Sequence, residues 1–201
     1  MIPFSEIDLN SSFSKLLELE QKEFNLHQQA DWLDYQQQRI QFLSHYSENT
    51  SVKSLIDYVQ TKIPRIGLFA GSFNPFHKGH FNVLQKAEEL FDKVIVAFGK
   101  NLEKNERTWK IPKTILNRQL INYNGLLTDY VESLPYEIII IRGLRNSTDF
   151  QYEQNQYRYL QELKPGIKVV NIFCDKEFEH ISSSGIRTLE KYDKHQKYLL
   201  P

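Results

Sequence analysis

The chain has 201 residues, 40% hydrophobic and 25% charged, which suits one folded domain with an appendage and excludes a wholly disordered chain. Lys plus Arg and Asp plus Glu both number 25, and this zero balance argues against a bulk electrostatic grip on nucleic acid or an anionic membrane. One cysteine, Cys174, excludes an internal disulfide framework and suits a reducing, cytoplasmic setting, while no apolar run reads as a membrane span and MIPFSEIDLN does not read as a signal peptide.

Glycine divides the sequence, because all eight glycines lie at Gly67 or later. The earlier stretch is rich in Gln, Glu, Leu and aromatics, with apolar residues at helical spacing such as Phe13, Leu16 and Leu17, then Ile40, Phe42 and Leu43. This predicts helices near 11–25, 28–46 and 51–61, an α-helical extension over 1–64. Residues 1–64 carry nine acidic and five basic side chains, a balance of −4, so 65–201 carries +4.

From residue 66 short apolar runs alternate with helical stretches. IGLFA (66–70), KVIVAF (93–98), EIIII (137–141) and IKVVNIF (167–173) read as buried strands. Residues 80–91, 126–134 and 148–163 have helical spacing. Residues 100–123 read as a loop with a short helix and a strand near 119–122. Such alternation predicts βαβ units, hence a parallel sheet with helices on both faces over 65–201.

Three segments after strands carry chemistry. GSFNPFHKGH (71–80) opens a helix, and Gly71 can take a positive φ and let a ligand approach the backbone. The helix start offers unpaired N–H groups to phosphate, and His77 and His80 can share one face. IRGLRNSTDFQYE (141–153) brackets Gly143 with Arg142 and Arg145, a guanidinium pair suited to clamping phosphate. Ser147 or Thr148 can cap the next helix, and Thr148 with Gln151 has capping-box spacing. HISSSGIR (180–187) offers serine hydroxyls and another helix start, with Arg187 one turn further on.

The first segment resembles the HxGH motif of the nucleotidyltransferase superfamily. The second resembles the RGLRxxxDFxYE signature of the phosphopantetheine adenylyltransferase family, and the third its ISSSxxR motif. The resemblance covers roughly residues 66–200 and implies an α/β, Rossmann-like nucleotidyltransferase fold preceded by the helical extension. It implies transfer of AMP from ATP to 4′-phosphopantetheine, with Mg²⁺ as cofactor and dephospho-coenzyme A as product.

The same resemblance implies roles for particular residues. His80, His77 and Arg142 would be catalytic, with no metal-ligating residue in the protein. Ser72, Phe73, His80, Gly143, Leu144, Arg145, Glu153, Ile181, Ser182, Ser183 and Ser184 would contact ATP. Ser72, Lys104, Thr128 and Arg142 would contact the acceptor, Lys100 competing with Lys104. ATP and a small phosphorylated acceptor are the expected partners, with homo-oligomer formation open.

The chain departs from the family at Asn74, where Asp is usual, and in WKIPKTILNR, which stands in place of the family's helix start. The first touches the acceptor side, as does the interval from Lys104 to Arg142, which is shorter than is usual in the family. The alternative readings are therefore an adenylyltransferase for nicotinamide or nicotinate mononucleotide, or a nucleotide-binding relative without turnover.

Overall fold

A computed structural model describes residues 65–99, 109–134 and 136–201. The three helices expected within 1–64, and Lys100 and Lys104, lie outside the described residues.

Among the described residues, five strands alternate with four helices. They run β1 (Ile66–Gly71), α1 (Lys78–Leu90), β2 (Lys93–Gly99), β3 (Gln119–Tyr123), α2 (Leu127–Ser133), β4 (Ile138–Leu144), α3 (Ser147–Leu163), β5 (Lys168–Phe173) and α4 (Ser183–Glu190). The short helix expected before β3 is a single 3₁₀ turn at Lys113–Ile115. All pairings are parallel and the order is β3-β2-β1-β4-β5.

Alternating side chains give the sheet two apolar faces. Phe69, Val94, Val96 and Ile141 meet Val83, Leu84 and Ala87 of α1 on one side. Leu68, Ala70, Ile95, Ala97 and Ile140 form the other core, with Val131 of α2 and Leu160 of α3. Helices therefore cover both faces, as the strand–helix alternation predicts.

The chain leaves β1 toward β2 and β3, then returns through α2 to β4 on the other side of β1. That reversal opens a crevice between the carboxyl ends of β1 and β4, the place where open α/β sheets bind ligands. Two expectations need correction here. Arg142 and Gly143 lie within β4, which runs three residues past the apolar run because Arg142, Gly143 and Leu144 pair with Asn171, Ile172 and Phe173. The cap of α3 is Asn146, whose side chain accepts from Asp149 N–H at 3.1 Å, not Ser147 or Thr148.

Candidate active site

The segment between β1 and α1 is built around aromatic rings. Phe73 is 6% exposed and packs against Phe69, Phe76, Phe98 and His80 at centroid distances of 4.8–5.4 Å. Phe73 also holds the left-handed conformation, at φ 44°, that the sequence suggested for Gly71. Gly71 has a different task, because a Cβ there would stand 2.9 Å from Phe73 Cε1. The glycine admits the phenyl ring.

His77 is the N-cap of α1 and His80 is its third residue. His80 N–H donates to His77 Nδ1 at 3.4 Å, and His77 N–H donates to His80 Nδ1 at 3.3 Å. The rings stack with centroids 3.6 Å apart. Both Nδ1 atoms receive a backbone N–H, so each neutral ring carries its proton on Nε2. Burial, then the charge of Arg145, lowers the pKa of His77 to about 4. Burial, His77 and Arg145 hold His80 well below the ordinary histidine range. At neutral pH the pair is two uncharged Nε2–H donors.

Arg142 and Arg145 reach the same place, each held by a carboxylate. Arg142 meets Glu153 in a fork of two 2.7 Å hydrogen bonds and donates through Nη1 to Ala70 O at 2.8 Å. Burial is the largest influence and opposes its charge, but the Glu153 hydrogen bonds together with the Glu153 charge and, to a smaller extent, Tyr123 and Tyr152 raise its pKa. Arg145 meets Asp149 in a second fork, both bonds 2.8 Å, and Asp149 also accepts from Arg145 N–H. Burial raises and the Arg145 bonds lower the Asp149 pKa, which ends below the ordinary carboxylate value. The arginines are thus oriented by partners of their own rather than waiting as solvated cations.

Ser182 caps α4 by accepting from Gly185 N–H at 3.0 Å. Ser183 Oγ donates to Pro75 O at 3.0 Å, and Arg187 Nη1 donates to Asn74 O at 2.6 Å. Asn74 Oδ1 accepts from Trp109 N–H at 3.2 Å, which a carboxylate oxygen at that position would also do.

These groups enclose a cleft of about 400 Å³ at the strand ends. Ser72, Phe73, His77, His80, Arg142, Gly143, Leu144, Arg145, Glu153, Ile181 and Ser182–Ser184 all line it. Thr128 does not; it is buried on α2, where its hydroxyl donates to Asp129 Oδ1 at 3.4 Å. Asp149, Tyr152 and Cys174 line the cleft without having been singled out in the sequence. Asp149 was legible as a carboxylate four residues beyond Arg145 on a helix. Cys174 had no such signal, and burial, then the Glu179 charge, raises its thiol pKa, so it packs as a neutral thiol.

The stacked neutral donors and two oriented guanidiniums suit one ligand chemistry, a polyphosphate whose charge grows as a phosphorus centre is attacked. Residues 68–189 match the cytidylyltransferase-like family model. The chain is 40% identical over 140 residues to phosphopantetheine adenylyltransferase of Mycoplasma capricolum, covering 65% of this chain and 99% of that one. It is 36% identical over 146 residues to the Cytophaga hutchinsonii enzyme of the same name, covering 68% and 97%. Among solved structures it is similar to a bifunctional NMN adenylyltransferase/ADP ribose pyrophosphatase from Francisella tularensis. That likeness has a TM-score of 0.44 and 15% identity and covers 68% of this chain and 45% of that one. From the family match and the extent of these identities, the chain belongs to the cytidylyltransferase-like family and, within it, to the phosphopantetheine adenylyltransferases.

Proposed function

We propose that this chain transfers AMP from ATP to 4′-phosphopantetheine, giving dephospho-coenzyme A and pyrophosphate. An oxygen of the acceptor's phosphate attacks the α-phosphorus of ATP in line. The bond from that phosphorus to the bridging oxygen breaks, and pyrophosphate leaves with the electron pair. The acceptor is already a nucleophile, so the protein's work is positioning and charge stabilisation.

The observation that carries this reading is the reciprocal His77–His80 pair beside Arg142 and Arg145 in one cleft. His80, seconded by His77, donates Nε2–H to the α-phosphate oxygens as their charge grows. Arg145 and the backbone N–H groups at the α4 start, Ser182–Ser184, take the β- and γ-phosphates, while Ser72, Phe73, Gly143, Leu144 and Ile181 shape the nucleotide site. Glu153 aims Arg142 between donor and acceptor. Lys104, which lies outside the described residues, is assigned to the acceptor's phosphate.

Magnesium fits this site as a companion of ATP. The cleft's carboxylates, Asp149 and Glu153, are each engaged by an arginine, and the described residues hold no cluster of three metal-ligating side chains. The ion would therefore be held by phosphate oxygens and water. When bound, it neutralises triphosphate charge and makes pyrophosphate a better leaving group. We place the reaction in the cytoplasm; no described helix is long and apolar enough to cross a membrane. Self-association belongs to the same proposal, since α3 leaves Phe150, Tyr159 and Leu163 exposed.

The test is pyrophosphate release with ATP and a panel of 4′-phosphopantetheine, nicotinamide mononucleotide and nicotinate mononucleotide. Turnover should occur with the first alone. Turnover with a mononucleotide instead would assign the other acceptor class, and none with any of them would leave a nucleotide-binding protein.

A further inference from the structure

We infer that the stretch from Ser183 to Leu199 is the frame that sets the histidine loop, with Ser183, Arg187 and Leu199 as positioning residues for His77 and His80. The inference rests on the adenylyltransferase reading only for its kinetic consequence.

The loop from Ser72 to His77 needs holding from outside. Phe73 sits at φ 44°, a conformation costly for a bulky residue that persists only where the surroundings over-determine it. Phe76 and His77 are 2% and 3% exposed, so loop carbonyls here need protein donors. Pro75 has no N–H to offer in return.

The later chain supplies what the loop lacks, at three nearby points. Arg187 Nη1 donates to Asn74 O at 2.6 Å, and Ser183 Oγ donates to Pro75 O at 3.0 Å. Leu199 forms an antiparallel bridge with His77 itself. Lys78 Nζ adds a bond to Lys197 O at 2.7 Å, and Leu200 packs into the core that holds Phe73 and Phe76. The bridge holds His77 at φ −135° and ψ 175°, the extended geometry an N-cap requires. From that geometry its Nδ1 receives His80 N–H and its own N–H reaches His80 Nδ1.

Two consequences separate this frame from a nucleotide-binding role. The Ser183 hydroxyl proton is engaged by Pro75 O, so the hydroxyl faces phosphate with lone pairs rather than a donor. Leu199 does not line the cleft, and its bridge to His77 is its link to the histidine pair.

The test uses the full chain, a deletion of residues 196–201, and Ser183→Ala and Arg187→Lys. Ring ¹⁵N shifts of His77 and His80, assigned with His77→Asn and His80→Asn, are followed from pH 4 to 8 without substrate. In the full chain both rings should remain Nε2–H tautomers through the range where histidine ordinarily titrates. In the deletion at least one should titrate near 6.5. In the kinetic assay kcat should fall about tenfold or more, since small misplacements of catalytic groups are costly, while the KM for ATP changes less. Should the deletion fail to fold, Ser183→Ala and Arg187→Lys decide, with the same split expected. Unchanged ring signals, or a raised KM for ATP at unchanged kcat, would overturn the frame. The NMR readout stands whichever acceptor is used, so failure of the adenylyltransferase reading is distinguishable from failure of the frame.

Discussion

Arg142 and Glu153 face each other fork to fork, Nε to Oε2 and Nη2 to Oε1, both at 2.7 Å. The guanidinium comes from a strand and the carboxylate from the second turn of the following helix, so the pair fixes α3 against β4 as well as aiming Arg142. A cation fixed before substrate arrives needs no reorganisation as charge develops.

Glu153→Gln should therefore damage fold and reaction together. The two side chains are 22% and 11% exposed, so removing one charge leaves the other poorly solvated. Breaking such a pair costs about 3–5 kcal/mol, and partial exposure points to the lower end. Urea denaturation should record the loss. Arg142→Met combined with Glu153→Leu should recover much of the stability with no recovery of turnover.

His77 makes stability depend on pH. Its folded pKa is about 4 against an ordinary 6.5, so between those values the unfolded chain binds more protons. Its neutral form is accommodated without penalty above 6.5, and stability is lost on acidification from there toward 4. The loss attributable to His77 is roughly 3 kcal/mol, with the neutral His80 and the Arg145 charge as its nearest titratable neighbours. Denaturation curves at pH 4.5 and 7 should differ less for His77→Gln than for the parent chain. Equal slopes would show that His77 is not held neutral.

His80→Ala should lower kcat about 10²–10³-fold with little change in the KM for ATP, as expected for a donor whose bond strengthens in the transition state. Because both histidines stay neutral, the parent rate should show no inflection from them near pH 6.5. Steady-state pyrophosphate release from pH 5.5 to 8 checks both statements.

Gly71→Ala should act on the site through Phe73. The new methyl would lie 2.9 Å from Phe73 Cε1, and that ring packs edge-on to His80 at 4.9 Å. Overpacking of this kind costs about 1–3 kcal/mol. A lower melting temperature and lower turnover are expected together. Reduced stability with full turnover would show that Phe73 does not support His80.

The sequence by itself determined the alternation of strands and helices, the parallel sheet and the placement of three motifs after strands. Periodicity and glycine placement are local signals, and the buried strands announced themselves as apolar runs. Residue identity also determined most of the cleft, because histidines, arginines and serines have few uses at a strand end beside a helix start. Only the tertiary structure decided what those side chains do before substrate arrives. Arg142 and Arg145 read as free phosphate clamps, yet each is paired, since a guanidinium half out of water recruits the nearest carboxylate. Strand β4 outran its apolar stretch because ladder pairing with β5, invisible in a single segment, carried it through Arg142 and Gly143. The strained φ fell to Phe73 rather than Gly71 because packing among four rings outweighed backbone preference. The bridge from Leu199 to His77 joins residues 122 positions apart, and no local pattern encodes such a contact.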